Sequence, residues 1–162
     1  MMLLRYPVLA MAELNPPRLL PPHYFLMSLL AVGLLAWVEP RPPLLSPPWQ
    51  YLGLLPAATG LLLTLAGARQ FGRAGTNIVP FTPSSALVTD GVFGWSRNPM
   101  YVGMGLFLAG CCLLANQGLA WVVPLAFFVI VRQRFVLPEE ALMRKTFGDA
   151  FASYQARVRR WL

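Results

Sequence analysis

Residues 94–103 read GWSRNPMYVG, a cluster of polar, helix-starting residues set directly before an apolar run. Asn98 followed by Pro99 has the form of a helix N-terminus. Asparagine suits the N-cap, and proline at the first helical position forfeits no backbone hydrogen bond. The window that follows, residues 100–115, contains no Asp, Glu, Lys or Arg, as expected of a helix that enters a membrane.

Three further windows share that property, at residues 24–38, 49–67 and 118–131. The chain is 57% hydrophobic and 12% charged, with a mean hydropathy of +0.57, far too apolar for a soluble domain of 162 residues. These windows predict an all-α integral membrane bundle of about four transmembrane helices, built as one domain over residues 1–162. Most of them fall short of the roughly 20 residues that span a hydrocarbon core. His23 therefore extends the first span, and Arg132 and Arg134 extend the fourth by snorkelling along their aliphatic stems.

The basic residues divide unevenly around these spans. Arg5 and Arg18 precede the first, Arg69, Arg73 and Arg97 lie between the second and third, and the rest follow the fourth, leaving Arg41 on the other side. The positive-inside rule then predicts that both termini and the loop over residues 68–99 are cytoplasmic, in an inner-membrane type of topology. The same distribution argues against nucleic-acid binding, despite a pI near 10.3, because the charges flank spans and form no basic face with interleaved aromatics. Residues 1–22 are broken by Pro7 and Glu13, lack a convincing cleavage site, and read as an interfacial lead-in.

In the second span, Gly60, Thr64 and Ala68 recur every fourth residue and offer an edge for close helix approach. Only Asn116 and Gln117 separate the third span from Gly118 and the fourth, which predicts an antiparallel hairpin. The hairpin brings residues 96–101 beside residues 132–140. Near the C-terminus, Phe151, Tyr154, Val158 and Trp161 recur at helical spacing opposite Gln155 and three arginines, which predicts an amphipathic helix on the cytoplasmic face.

The chemistry gathers at that junction. A helix N-terminus presents unpaired N–H groups and partial positive charge, so residue 98 onward, with Arg97, suits an anionic group. Glu139 and Glu140 follow Pro138 in what reads as a first helical turn, where the macrodipole alone would account for carboxylates. Placed near Arg97, one of them could hold an ammonium or ribose hydroxyls. Phe93, Trp95 and Tyr101 could face a cation, although aromatics at this depth also serve as interfacial anchors. The GxG of Gly103 and Gly105 follows no strand and reads as helix packing. Cys111 and Cys112 are adjacent, His23 is the only histidine, and neither a metal site nor a Ser-His-Asp set can be assembled.

The stretch LVTDGVFGWSRNPMYVG, about 35 residues of hairpin, and PEEALMRKTFGDAFASYQARVRRW together resemble the isoprenylcysteine carboxyl methyltransferase and phospholipid methyltransferase superfamily over residues 74–162. The family signature, R-H-P-x-Y-x-G followed by paired glutamates, is matched at Arg97, Pro99, Tyr101, Gly103, Glu139 and Glu140. Asn98 stands where the carboxyl methyltransferases have histidine. An arginine that they place four residues before the glutamate falls on Phe135, one position from Arg134.

The resemblance implies a membrane-embedded methyltransferase that uses S-adenosylmethionine, with no metal. Its cofactor core would lie within residues 74–162, after the lead-in and two spans of residues 1–73. Leu87, Val88, Phe93, Arg97, Asn98, Pro99, Tyr101, Gly103, Glu139 and Glu140 are the cofactor-site residues it implies, with Glu139 and Arg134 in the catalytic roles. The acceptor would be a hydrophobic small molecule or lipid that enters from the bilayer. Methyl transfer from a sulfonium needs mainly alignment and water exclusion, so few catalytic side chains are expected. A nicotinamide-dependent membrane reductase and a non-enzymatic scaffold are the alternatives; transport is disfavoured by spans that lack midplane charges.

Overall fold

The computed structural model describes residues 18–38, 42–82 and 86–162, and every regular element among them is helical. Residues 1–17 of the lead-in and the placement of Arg41 lie outside the described residues. Five α-helices follow in order: α1 (Pro21–Val38), α2 (Leu54–Arg73), α3 (Pro99–Ala115), α4 (Val122–Val131) and α5 (Leu137–Arg157). Single 3₁₀ turns lead into α2 and α4, and a third, Gly91–Gly94, precedes α3.

Three segments, Pro21–Val38, Trp49–Arg73 and Leu119–Arg157, are long and apolar enough to cross a membrane, and α3 is a shorter apolar helix. Its 17 residues extend about 25 Å at 1.5 Å per residue, somewhat less than a hydrocarbon core of about 30 Å. α3 packs against α1, α2 and α4, so it is the central helix of the bundle.

Glycines make that position possible. Gly103 presses its bare backbone against Thr64 and Gly60 of α2, while Gly105, on the other side of α3, faces the ring of Phe128 in α4. A Cβ on Gly110 would stand 2.6 Å from the backbone of Gly53 and Ala57. Thr64 Oγ1 donates to Gly60 O at 2.9 Å and to Met100 O at 3.3 Å, which stitches the same seam. Gly60 and Thr64 thus lie on the close edge read from the sequence. Its third member is Gly67, buried against Met100, while Ala68 is only half-buried. Gly60→Ala is expected to lower stability by about 1–3 kcal/mol through overpacking against Gly103. Thermal unfolding in detergent would measure the loss, and an unchanged midpoint would contradict the packing role.

The α3–α4 hairpin forms as expected and turns on Asn116, whose φ of 55° is left-handed. Its side chain donates to Leu45 O at 2.7 Å and accepts from Leu45 N at 2.8 Å, which ties the turn to the loop before α2. At this end, residues 42–50 and 116–118 carry no basic side chain. The Lys and Arg residues among the described ones all gather at the opposite end, where α3 starts.

α4 does not stop before Pro138, where a separate helix was expected to begin. It passes through a π turn, Arg132–Val136, into α5, so that the helix runs without interruption from α4 as far as Gly148. The wide turn sits where Pro138 can neither donate an N–H nor tolerate a tight preceding carbonyl. The apolar part ends at Val131, beyond which Arg132, Gln133 and Arg134 are exposed, so the helix past this point leaves the membrane-spanning segment.

Gly148, at φ 49° and ψ −122°, breaks α5. The second half folds its stripe inward: Phe151, Tyr154 and Val158 are buried with Phe147 beside Leu87 and Met143. The apolar face expected to lie on the membrane surface is therefore occupied by the protein itself. Helical geometry ends at Arg157, because Val158 is extended (φ −119°, ψ 130°), and Trp161 packs edge-on against Phe128.

Candidate functional site

A cavity of about 930 Å³, counted out to its open mouth, lies at the basic end between residues 77–82 and 86–101 on one side and α5 on the other.

One wall is the segment that leads into α3. Gln70 Nε2, from the end of α2, donates to Asp90 O at 3.0 Å, and the following Gly91 has φ 58°. That left-handed backbone calls for glycine, and a side chain there would also push the Gln70 amide aside. The next turn is fixed from the other side: Tyr154 Oη donates to Phe93 O at 2.6 Å, and Phe71 meets Phe93 edge to face. Burial pushes the Tyr154 hydroxyl up to about 12, so it remains a donor.

Pro99 occupies the first turn of α3 as read from the sequence, but Asn98 does not cap the helix with its side chain. Asn98 Nδ2 instead donates to Arg160 O at 3.0 Å, and its backbone N–H donates to Ser96 Oγ at 3.1 Å. The amides of the first turn are thus left without a side-chain cap.

The two glutamates, adjacent in sequence, have opposite environments. Glu140 is 7% exposed and paired twice: Arg97 Nη2 and Arg160 Nη2 each lie 2.8 Å from one of its oxygens. Burial alone would raise its carboxyl, but hydrogen bonds from Arg160 and Arg97 hold it below the usual range. Arg97 is further anchored by Nη1, which donates to Val158 O at 2.7 Å. Glu139 lines the cavity and has no hydrogen bond or ion pair among the described residues. Burial, and then the neighbouring charge of Glu140, push its carboxyl up to about 7.

Leu87, Val88, Phe93, Arg97, Asn98, Pro99, Tyr101, Glu139 and Glu140 all line this cavity. Gly103 does not, because it is consumed by the α2 interface, and Arg134 does not, because the π turn directs it outward to solvent while Phe135 and Val136 turn inward. Sequence reasoning missed the loop over residues 77–82, which closes one side and carries no periodic pattern. In that loop, Phe81 is buried in a left-handed conformation (φ 63°) and stacks on Phe135. Met143, Phe151 and Tyr154 also face the cavity; the helical stripe near the C-terminus signalled the last two, though for a different partner.

A family model for phospholipid methyltransferase matches residues 49–150, from the turn before α2 to just past the break in α5. The chain belongs to the phospholipid methyltransferase family. Within that family's wider neighbourhood, it is 34% identical over 75 residues to a protein-S-isoprenylcysteine O-methyltransferase of Schizosaccharomyces pombe, covering 44% of this chain and 30% of the relative. A protein of the same name from Tribolium castaneum is 29% identical over 110 residues, 66% of this chain and 39% of the relative. An uncharacterized protein of Haemophilus influenzae is 33% identical over 63 residues, 39% of this chain and the whole of the relative. The matched part of the chain thus spans about a third of the length of the two named methyltransferases. No solved structure matches it. As a member of the phospholipid methyltransferase family with three long apolar helices, the chain is an integral membrane protein. α1 and the segment from Phe151 onward lie outside the family match.

Proposed function

We propose that this chain is an S-adenosylmethionine-dependent methyltransferase that acts on a hydrophobic or amphiphilic acceptor at the cytoplasmic face of the membrane. The observation that carries the reading is Glu139, a carboxylate kept in the cavity without a partner among the described residues, beside the uncapped start of α3.

The donor set fits the cofactor. Glu139 offers an acceptor for an ammonium or for ribose hydroxyls, and the first-turn amides of α3 offer donors to a carboxylate. The rings of Phe93, Tyr101 and Phe151 offer apolar and cation-facing surface. When bound, the cofactor would supply an electrophilic methyl group on a sulfonium. The protein's own contribution is to hold the reactants in line and to exclude water with Phe81, Val136 and Met143. The gathering of the described basic residues at the cavity end supports a cytoplasmic site.

Isothermal titration of the detergent-purified protein with S-adenosylhomocysteine tests this reading. Saturable binding is expected; binding of reduced nicotinamide cofactor with none of S-adenosylhomocysteine would transfer the chain to the reductase reading.

The same titration should depend on pH. Glu139 must be ionised to accept strong hydrogen bonds, so affinity is expected to rise as pH increases through about 7. Stability should run the other way. A carboxyl raised from 4.5 to about 7 in the folded state contributes stability that is fully present below pH 4.5 and lost as pH rises through 7. Both slopes are expected to flatten in Glu139→Gln.

A further inference from the structure

We propose that the segment Val158 to Trp161 is a clasp on the ligand site and that Arg160 is its positioning residue, acting through Glu140 and the start of α3; the ligand part of this inference rests on the function proposed above.

After α5 the chain leaves helical geometry and runs back across the loop that starts α3. Arg97 N donates to Arg159 O at 3.0 Å, Ser96 Oγ to Arg160 O at 3.3 Å, and Asn98 Nδ2 to Arg160 O at 3.0 Å. Three consecutive residues before the helix are therefore fixed by two consecutive carbonyls. The Arg160 side chain then turns to grip Glu140 with both edges of its fork, Nε to Oε1 at 3.0 Å and Nη2 to Oε2 at 2.8 Å. Such planar, two-point geometry belongs to a guanidinium and cannot be reproduced by a lysine. Trp161 anchors the far side of the clasp on Phe128 of α4. The family match stops at residue 150, so the clasp lies outside the matched segment.

The arrangement also sets the charge around Glu139. Glu140 on its own helix and Tyr101 from α3 are the titratable groups that feel its charge, and Arg97 and Arg160 act on it through Glu140, which both of them grip. Two guanidinium groups against Glu140 offset the negative charge that, beside burial, raises the carboxyl of Glu139. Without Arg160 the cluster would carry two carboxylates against one cation, and ionisation of Glu139 would become harder.

The test uses the full chain in detergent, with Arg160→Met and Arg160→Lys variants. It combines S-adenosylhomocysteine titration from pH 6 to 8.5 with hydrogen exchange of residues 95–102 in the ligand-free protein. Arg160→Met is expected to weaken binding at pH 7 by roughly tenfold or more, to move the pH midpoint of binding upward, and to speed exchange at residues 96–98. Arg160→Lys should restore most of the midpoint and only part of the affinity. Wild-type affinity and midpoint in Arg160→Met would overturn the proposal. So would a uniform weakening at every pH, which is the mark of a merely structural arginine. Should the wild type bind no S-adenosylhomocysteine, the proposed function falls, and the exchange comparison alone decides the clasp: faster exchange supports it and unchanged exchange overturns it. If Arg160→Met does not fold, Arg160→Lys decides, since a lysine with wild-type affinity and wild-type exchange would show that the two-point grip is dispensable.

Discussion

Replacing Glu139 with glutamine should reduce S-adenosylhomocysteine affinity by about 10-fold to 100-fold while leaving the fold as stable as before, or more so. A hydrogen bond to an ionised group contributes about 1.5–3 kcal/mol, which sets the size of the loss. The second half of the expectation is the more diagnostic. Glu139 has no protein partner among the described residues, and its burial disfavours the charged form. Removing that charge therefore relieves a cost to folding and breaks no native contact. Titration calorimetry and thermal unfolding on the same samples measure both effects. A large loss of stability with unchanged affinity would mean that Glu139 is structural and that the site reading is wrong.

Glu140→Ala should do the reverse. The change leaves Arg97, whose side chain is 11% exposed, and Arg160, at 29%, facing one another with no anion between them. Breaking a buried pair by removing one partner costs about 3–5 kcal/mol, and the partial exposure of Arg160 puts the expectation near the lower figure. Glu140→Gln should recover part of this, since an amide oxygen can still accept one of the guanidinium bonds. Ligand affinity would also fall, because Arg97 and the start of α3 lose a fixed neighbour, but the primary readout is the unfolding midpoint. If Glu140→Ala unfolded at the wild-type temperature, the two ion pairs would be energetically idle.

The contrast between these neighbours marks what the sequence could and could not convey. The start of α3 was legible at Pro99 because the preference of proline for a first helical turn is local. The hairpin was legible because two residues between apolar runs leave the chain no other route. The division of labour between Glu139 and Glu140 was not legible: successive residues on a helix point about 100° apart, and which one meets Arg160 depends on how a segment 20 residues later folds back. For the same reason the side chain of Asn98 went unread, since its partner lies 62 positions away. The outward direction of Arg134 was not legible either, because it lies in a π turn that nothing local distinguishes from ordinary helix. The loop over residues 77–82 closes the cavity through tertiary contacts such as Phe81 on Phe135, which no periodicity announces.

The tie between the loop before α3 and the extended segment after α5 also has a temporal consequence. Arg97 takes its partners from residues 58 and 61 positions downstream, and Ser96 from 64. A ribosome delivers the hairpin of α3 and α4 to the membrane well before it releases those partners. During synthesis the apolar seam between α2 and α3 can close early, while the pocket stays loose until Arg160 and Trp161 emerge. The seam between α2 and α3 thus depends on contacts made earlier in the chain than those that fix the cavity wall, which wait for residues 58 to 64 positions downstream.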